Sequence, residues 1–447
     1  MLLWHPWIAR VLCRVNEARE ILKGKSMDLI VAWISLLFGL LGMCFACCSI
    51  FARRGSLDRR SAWYTGFSAM GSELAPWLFL GALALASGAA LLGANRHMIG
   101  RFGLGLHLLA SMGLLLALWR ARGTGELLEK VLMQGLGSDY ASHIAAERKA
   151  LLRAIPATSG WLRPFHYALP EVQWLRNLAY VKDGHALQKL DVLKPVAMPA
   201  KPMPILINFH GGAWIFGDKG TQGMPLLMHL AQNGWLVIDA NYRLSPDVRM
   251  PEHLIDTKRV IAWAREHAAE YGGEPGFIAI TGGSAGGHLC ALAALTPNNP
   301  DWQPGFESAD TQVQVAVPFY GKYDLMGQTA TDLTFARFLA DKVMQATRES
   351  APDQWQTMDP ASQINADAPP FMVLHGSHDS LIPVEEVRWF VQKLRKVSAQ
   401  EVLYAEVPGA QHAWDVPRSL RCNLTVGPVQ RFLEYRYAQW LRTATCK

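Results

Sequence analysis

The chain has 447 residues, half of them hydrophobic, and a formal net charge of +6. This length accommodates more than one domain, and the composition excludes a disordered or fibrous protein. The basic excess lies at one end, because residues 1–130 hold 14 Lys/Arg against 7 Asp/Glu while the remainder holds 29 against 30. Basic charge beside apolar runs is typical of membrane-flanking segments, so no nucleic-acid partner is expected.

The N-terminal region, residues 1–123, predicts about three transmembrane helices. Apolar runs without Lys, Arg, Asp or Glu cover 29–52, 74–92 and 102–119, and arginines flank each of them. A membrane-spanning helix needs about 20 apolar residues. We therefore expect a multi-pass membrane protein with the bilayer as a partner, and buried helices of a soluble domain are the alternative. The flanking Lys and Arg are evenly divided, so the positive-inside rule selects no orientation.

Residues 2–24 come before the first apolar run and interleave Trp, Ile, Leu and Val with arginines. This pattern predicts an amphipathic segment at the membrane surface, and an ordinary solvated helix is the alternative. A cleavable signal peptide fits poorly, because the first apolar run begins late and is too long for one.

The rest of the chain has the pattern of an α/β domain. Residues 124–174 predict a linker, helical at first and then loop-rich, and residues 175–447 predict a catalytic domain. In the latter, short apolar strands alternate with helix-like segments, which indicates a mostly parallel sheet with helices on both faces. Strands are expected around a hairpin at 178–195 and at 204–212, 235–244, 277–283, 313–321 and 371–377. Residues 323–369 are mainly helical in pattern and are expected to cap the site.

A serine motif follows one of these strands. Ser284 lies in the pattern Gly282-Gly283-Ser284-Ala285-Gly286, between a predicted strand and a predicted helix. In a G-x-S-x-G turn, the glycines two residues on either side remove clashes and leave the serine hydroxyl exposed above the sheet. The helix that follows directs its N-terminal N–H groups at the site, where they favour negative charge. The motif therefore predicts a nucleophilic serine.

A serine hydroxyl needs a base and an acid that orients the base. Asp379 follows the strand in "FMVLHGSHDSLIP", and His412 follows the strand in "VLYAEVPGAQH". This order, Ser284 then Asp379 then His412, is that of an α/β-hydrolase triad. Other nearby His and Asp residues fit the triad less well. His375 and His378 are expected to pack or form hydrogen bonds locally, and His288 is expected to face away from the site. Asp415 does not follow a strand as Asp379 does.

The tetrahedral intermediate of such a reaction needs preplaced hydrogen-bond donors. The loop in "INFHGGAWIFGDKG" follows a strand, and its small residues allow backbone N–H groups to approach a substrate. We expect the N–H groups of Gly212, Ala213 and Ala285 to form an oxyanion hole. Gly211 is expected to make the turn and His210 to hold the loop by hydrogen bonds, with a purely structural glycine turn as the alternative.

Five ordered motifs resemble the hormone-sensitive-lipase-like branch of α/β-hydrolases, the carboxylesterase and lipase group, over roughly residues 175–440. They are "HGGAW" at 210–214, "NYRLSPD" at 241–247, "GGSAGG" at 282–287, "HGSHDSLIP" at 375–383 and "GAQH" at 409–412. The resemblance implies the fold and the catalytic machinery, with a structural role near the acyl site for the second motif. Ala213 stands where many members have a third glycine, and the first motif is also similar to that of the arylformamidases.

Together these features predict an α/β-hydrolase domain preceded by a helical transmembrane region. The expected function is that of a membrane-anchored serine esterase or lipase that acts on a small-molecule or lipid ester. The acid, base and nucleophile make a complete acyl-transfer set, so no metal and no organic cofactor are expected. An arylformamidase-type amide hydrolase and a non-catalytic binding module on a hydrolase fold are the alternatives.

Overall fold

The computed structural model describes residues 26–51, 59–153, 155–329 and 333–444. Two compact units divide the chain: Met1–Phe51 with Met70–Leu118, and Ala52–Ala69 with Trp119–Lys447. The amphipathic segment expected at 2–24 lies outside the described residues.

Four helices form the described N-terminal region. They are α1 (Ser26–Ile50), α2 (Arg59–Glu73), α3 (Ala75–Leu91) and α4 (Met98–Arg122). Two helical stretches, Met27–Ile50 and Met98–Leu136, are long and apolar enough to cross a membrane. The second expected span corresponds to α3, whose 17 residues reach about 26 Å and fall short of a hydrocarbon core of about 30 Å. It adds a third candidate only if Trp63–Glu73 and α3, bent by 86°, are one broken span.

Small residues allow α1 and α4 to pack closely. A Cβ atom on Gly103 of α4 would lie 2.7 Å from the backbone nitrogen of Leu36, and one on Gly39 of α1 would lie 2.8 Å from the carbonyl oxygen of Gly103. A Cβ atom on Gly113 would lie 2.8 Å from the Cβ of Ala46. Close backbone approach through small residues is typical of helix pairs in membranes, where lipid removes the hydrophobic drive for association.

An eight-stranded sheet organises the second unit. Its strands are β1 (Val172–Ala179), β2 (Lys189–Pro195), β3 (Met203–Phe209), β4 (Leu236–Ala240), β5 (Gly273–Gly283), β6 (Val315–Phe319), β7 (Phe371–Gly376) and β8 (Val402–Val407). They lie in the order β1-β2-β4-β3-β5-β6-β7-β8. The pairs β1–β2 and β2–β4 are antiparallel and all others are parallel. The expected hairpin is present, with Leu178 opposite Leu190.

Helices cover both faces of this sheet, as the sequence predicts. Alternate residues of β3 enter different cores: Ile205 and Ile207 face one and Leu206 faces the other, and all three are fully buried. The covering helices are α5 (Thr124–Leu136), α7 (Met224–Gln232), α8 (Glu252–His267), α9 (Ala285–Leu295), α12 (Val384–Val397) and α13 (Leu420–Ala444). A parallel sheet buried on both faces accounts for the continuous apolar runs that mark its strands.

Helix α5 lies in the segment that the sequence predicts to be a linker. Its Leu128 and Leu132 are fully buried in the same hydrophobic core as α7 and α13. The short helix α6 (Ala146–Lys149) follows it, and Arg148 forms an ion pair of 2.6 Å with Glu434 of α13. The spacing of Leu128 and Leu132 places both side chains on one helix face. That face packs into the unit, so the helical part of this segment adds apolar core rather than only connecting two domains.

The segment expected to form a cap is largely helical. It contains α10 (Leu333–Phe338), a π-helix at Leu339–Met344 and α11 (Pro352–Thr357). Its larger apolar side chains, including Leu339, Met344 and Trp355, are buried in one of the two sheet-covering cores. Packing against the domain therefore accounts for these side chains.

Candidate active site

The backbone at Ser284 forms a strained turn between β5 and α9. Ser284 has φ 58° and ψ −116°, a left-handed region that residues with a Cβ atom seldom adopt. A Cβ atom on Gly282 would lie 2.6 Å from the backbone carbon of Gly286, and one on Gly286 would lie 2.0 Å from the carbonyl oxygen of Phe209. Both glycines are thus required by close backbone approach, as the motif predicts.

The three residues of the predicted triad lie together at the carboxyl ends of three strands. Ser284 follows β5, Asp379 follows β7 and His412 follows β8. His412 Nε2 lies 2.9 Å from Ser284 Oγ, and His412 Nδ1 lies 2.8 Å from Asp379 Oδ2. Because a carboxylate only accepts hydrogen bonds, the proton on this side of the imidazole belongs to Nδ1. Nε2 is then free to accept the serine proton.

Asp379 is held as a carboxylate by its surroundings. Its Oδ1 accepts hydrogen bonds from the N–H groups of Leu381 (2.8 Å) and Ile382 (2.9 Å). Burial acts to raise the pKa of Asp379, but the charge and hydrogen bond of His412, the nearby His375 and the Ile382 N–H together lower that pKa below its usual range. An ionised Asp379 is the form that orients His412.

The competing groups have other partners. His375 is fully buried, and its Nε2 donates to the carbonyl oxygen of Ile382 at 2.9 Å. His288 Nε2 donates to the carbonyl oxygen of Met358 at 2.9 Å. Burial lowers the pKa of His288 to about 4. Asp415 accepts a hydrogen bond from the hydroxyl of Tyr320. None of these groups lies in the Ser284–His412–Asp379 chain of hydrogen bonds.

The loop after β3 has an unusual backbone. Gly212, Ala213 and Trp214 have successive φ angles of 123°, 51° and 61°. A Cβ atom on Gly212 would lie 1.9 Å from the carbonyl oxygen of Phe216, so only glycine fits there. In the part of the chain that the structure describes, the amides of Gly212, Ala213 and Ala285 have no protein hydrogen-bond acceptor. These are the three donors that the sequence predicts for an oxyanion hole.

His210 and Gly211 hold this loop in place. His210 Nδ1 donates to the carbonyl oxygen of Gly211 at 2.7 Å, and the imidazole stacks on Tyr242 with ring centroids 4.6 Å apart. Burial lowers the pKa of His210, which favours a neutral ring. A Cβ atom on Gly211 would lie 2.9 Å from the Cβ of Ser284. His210 thus supports the loop, and Gly211 allows it to approach the serine.

Two further residues lie beside the predicted triad, and the sequence predicts a role for neither. The ring of Tyr320 lies 4.7 Å, centroid to centroid, from the imidazole of His412. Gln411 is fully buried, and its Oε1 accepts hydrogen bonds from the N–H groups of Ser380 (2.6 Å) and His412 (2.9 Å). The sequence signals that could point to them are the position of Tyr320 directly after β6 and that of Gln411 within the "GAQH" motif, directly before His412.

Side chains that could bind a metal ion are not clustered in the described residues. Within those ranges, the side chains of His, Cys, Asp and Glu form no group of three or more that could hold a metal ion. Ser284, His412 and Asp379 are paired with one another and with backbone groups.

The sheet order and the serine turn after the central strand β5 define the class of protein as an α/β-hydrolase. The BD-FAE family matches residues 190–394, which contain the serine turn and the aspartate loop. The chain is 36% identical to Esterase LipQ of Mycobacterium tuberculosis over 79% of this chain and 81% of that protein. The chain therefore belongs to the α/β-hydrolase family of carboxylic ester hydrolases that includes this esterase.

Two further proteins are similar to the chain. The chain is 51% identical to the probable carboxylic ester hydrolase LipM of Mycobacterium tuberculosis, over 53% of this chain and 55% of that protein. The match thus spans about half the length of LipM. Among solved structures, a truncated carbohydrate esterase from gut microbiota has a TM-score of 0.50 and 24% identity, covering 59% of this chain and 96% of that one. This last likeness concerns the fold.

Proposed function

We propose that the chain is a membrane-anchored serine ester hydrolase that works through Ser284, His412 and Asp379 and an acyl-enzyme. The observation that carries this proposal is the pair of hydrogen-bond distances at His412, 2.9 Å to Ser284 Oγ and 2.8 Å to Asp379 Oδ2. A base within hydrogen-bond reach of a hydroxyl, and itself oriented by a carboxylate, is the arrangement that activates a serine.

The reaction follows from this arrangement. Ser284 Oγ attacks the ester carbonyl carbon while His412 Nε2 takes the serine proton, and Asp379 stabilises the imidazolium that results. The N–H groups of Gly212, Ala213 and Ala285 donate to the oxyanion, whose charge develops only in the transition state. His412 then protonates the leaving alcohol, and a water molecule, deprotonated by His412, hydrolyses the acyl-enzyme.

The bilayer is the proposed partner of the N-terminal region. Large apolar side chains of α1 and α4 are exposed, including Trp33, Leu37, Phe102 and Met112. Exposed apolar surface of this extent on long helices favours contact with lipid over contact with water. A catalytic unit tethered to a membrane would meet lipid esters, so acylglycerols and related esters are the proposed substrate class.

Hydrolysis of p-nitrophenyl esters from acetate to palmitate tests the proposal, with the full-length chain in detergent and the variant Ser284→Ala compared. We expect turnover by the wild type, no turnover by the variant, and labelling of the wild type alone by a fluorophosphonate. The chain-length optimum would divide esterase from lipase. Turnover of N-formylkynurenine in preference to every ester would replace the proposal with an amide hydrolase. If the wild type shows neither turnover nor labelling, the protein is better explained as a non-catalytic binding module.

A further inference from the structure

The loops that carry Asp379 and His412 are joined by one side chain. The Oε1 of Gln411 accepts hydrogen bonds from the N–H groups of Ser380 and His412, the residues directly after Asp379 and directly after Gln411 itself. One amide oxygen therefore fixes the spacing between the aspartate loop and the histidine loop. The bond of 2.8 Å between His412 and Asp379 depends on that spacing.

The remaining atom of the Gln411 amide reaches a residue far away in the sequence. Its Nε2 donates to the hydroxyl of Ser68 on helix α2 at 3.1 Å. The direction of the amide is determined, because turning it over would bring the NH₂ group against two N–H donors. Gln411 thus connects α2 to both loops at once.

A second hydrogen bond joins the same helix to the aspartate loop. The hydroxyl of Thr65 lies 2.6 Å from the hydroxyl of Ser380. Thr65 and Ser68 are three residues apart, so they lie on one face of α2. Ser68 is 1% exposed, whereas Trp63 on the same helix is 70% exposed. The face of α2 that carries the hydroxyl groups of Thr65 and Ser68 therefore contacts the aspartate loop and the histidine loop.

We propose that α2 is a positioning element of the active site, in which Thr65 and Ser68 act through Ser380 and Gln411 to hold Asp379 and His412 in register. The inference rests on the proposed function, because it assigns α2 a purpose only if those two residues are catalytic. Turnover then depends on Thr65 and Ser68, which lie more than one hundred residues before the first strand of the sheet. A displacement of about 1 Å at reacting groups costs on the order of a hundredfold in rate.

The test uses the full-length chain with the double substitution Thr65→Val and Ser68→Ala, which removes both hydroxyls and keeps similar shapes. The wild type and the double variant are titrated with a fluorophosphonate, so that kcat is expressed per reactive serine. We expect kcat for p-nitrophenyl butyrate to fall roughly tenfold to a hundredfold, with KM within about twofold, because the ester pocket is untouched. Thr65→Ser combined with native Ser68 keeps both hydroxyls and should restore kcat.

Gly66→Ala is the matched control, because a Cβ atom there meets no atom within 4 Å and the substitution lies on the same helix. It should leave kcat unchanged. A double variant with fewer reactive serines but a normal kcat per serine would overturn the inference, since α2 would then only stabilise the fold. An equal loss in Gly66→Ala would also overturn it. If the wild type itself neither turns over esters nor reacts with the probe, the proposed function is wrong, and the inference about α2 falls with it.

Discussion

The Nδ1 atom of His412 lies 2.8 Å from Oδ2 of Asp379, while Oδ1 of the same carboxylate accepts two backbone N–H bonds from the residues that follow it. The carboxylate is therefore fixed before it orients the imidazole. Because both oxygens of Asp379 have known partners, the orientation of an asparagine amide at this position can be predicted.

Asp379→Asn is expected to lower kcat by roughly 10⁴-fold without unfolding the protein. The two backbone donors keep the amide oxygen on their side, so the NH₂ group faces His412. Nδ1 must then accept, the proton moves to Nε2, and the imidazole can no longer take the serine proton. Steady-state kinetics with p-nitrophenyl butyrate measure the effect.

Asp415→Asn serves as the control for this variant, because its amide oxygen can still accept from Tyr320. We expect less than a tenfold change in kcat. If kcat falls further in Asp415→Asn than in Asp379→Asn, the acid of the triad is Asp415 and not Asp379.

Gly286→Ala is expected to abolish activity and to lower the yield of folded protein. Its Cβ atom would lie 2.0 Å from the carbonyl oxygen of Phe209, and strand backbone cannot move aside cheaply. Gly125→Ala on α5 is the control, because no atom would lie closer to its Cβ atom than the side chain of Leu424, at an ordinary contact distance of 3.5 Å. Within a helix this second change should be neutral or stabilise by roughly 0.5–1 kcal/mol. Normal thermal unfolding and activity in Gly286→Ala would show that the turn is not closely packed.

Asp239 is expected to make the stability of the chain depend on pH. The side chain is fully buried beside Asn208 and the Gly220 N–H, and burial raises its pKa to about 7. A folded pKa above the unfolded value of about 3.9 means that the protonated form stabilises the fold. This contribution is fully present below about pH 4 and is lost as the pH rises through about 7.

The variant Asp239→Asn should remove this dependence, because an amide does not titrate. Thermal unfolding midpoints at pH 5 and pH 8 measure this dependence. The midpoint of the wild type should fall further between pH 5 and pH 8 than the midpoint of the variant does. Asp367→Asn, at an exposed position, should behave like the wild type. Equal losses in the wild type and Asp239→Asn would mean that Asp239 is ionised in the folded protein at both pH values.

Leu132→Ala tests whether α5 belongs to the hydrolase core. Leu132 is fully buried, and truncation of such a side chain costs about 2–5 kcal/mol in the free energy of unfolding. Met133→Ala, next to it and 44% exposed, should cost far less. If both variants unfold like the wild type, residues 124–136 are a linker, as their position between two regions of different composition predicts.

The sequence by itself determined the class of fold and the place of each candidate group along the chain. Strand-length apolar runs alternating with helical segments are enough to predict a parallel sheet with two covered faces, because only that arrangement buries them. The glycines at 282 and 286 predict the serine turn, because their spacing around Ser284 is that of a G-x-S-x-G turn. That Gly286 also has to pass close to Phe209 of β3 is visible only in the fold. Asp379 and His412 follow from strand order, since parallel strands bring their carboxyl ends to one edge.

Only the tertiary structure decided which distant segments support that edge. Thr65 and Ser68 belong to no motif, and the "GAQH" motif does not show what Gln411 contacts. Their hydrogen bonds link residues more than three hundred positions apart. The role of α5 was hidden for a similar reason, because an amphipathic helix has the same pattern whether its apolar face meets this core or another partner. Local spacing determines which groups a segment presents, but the contacts of those groups depend on how the whole chain is packed.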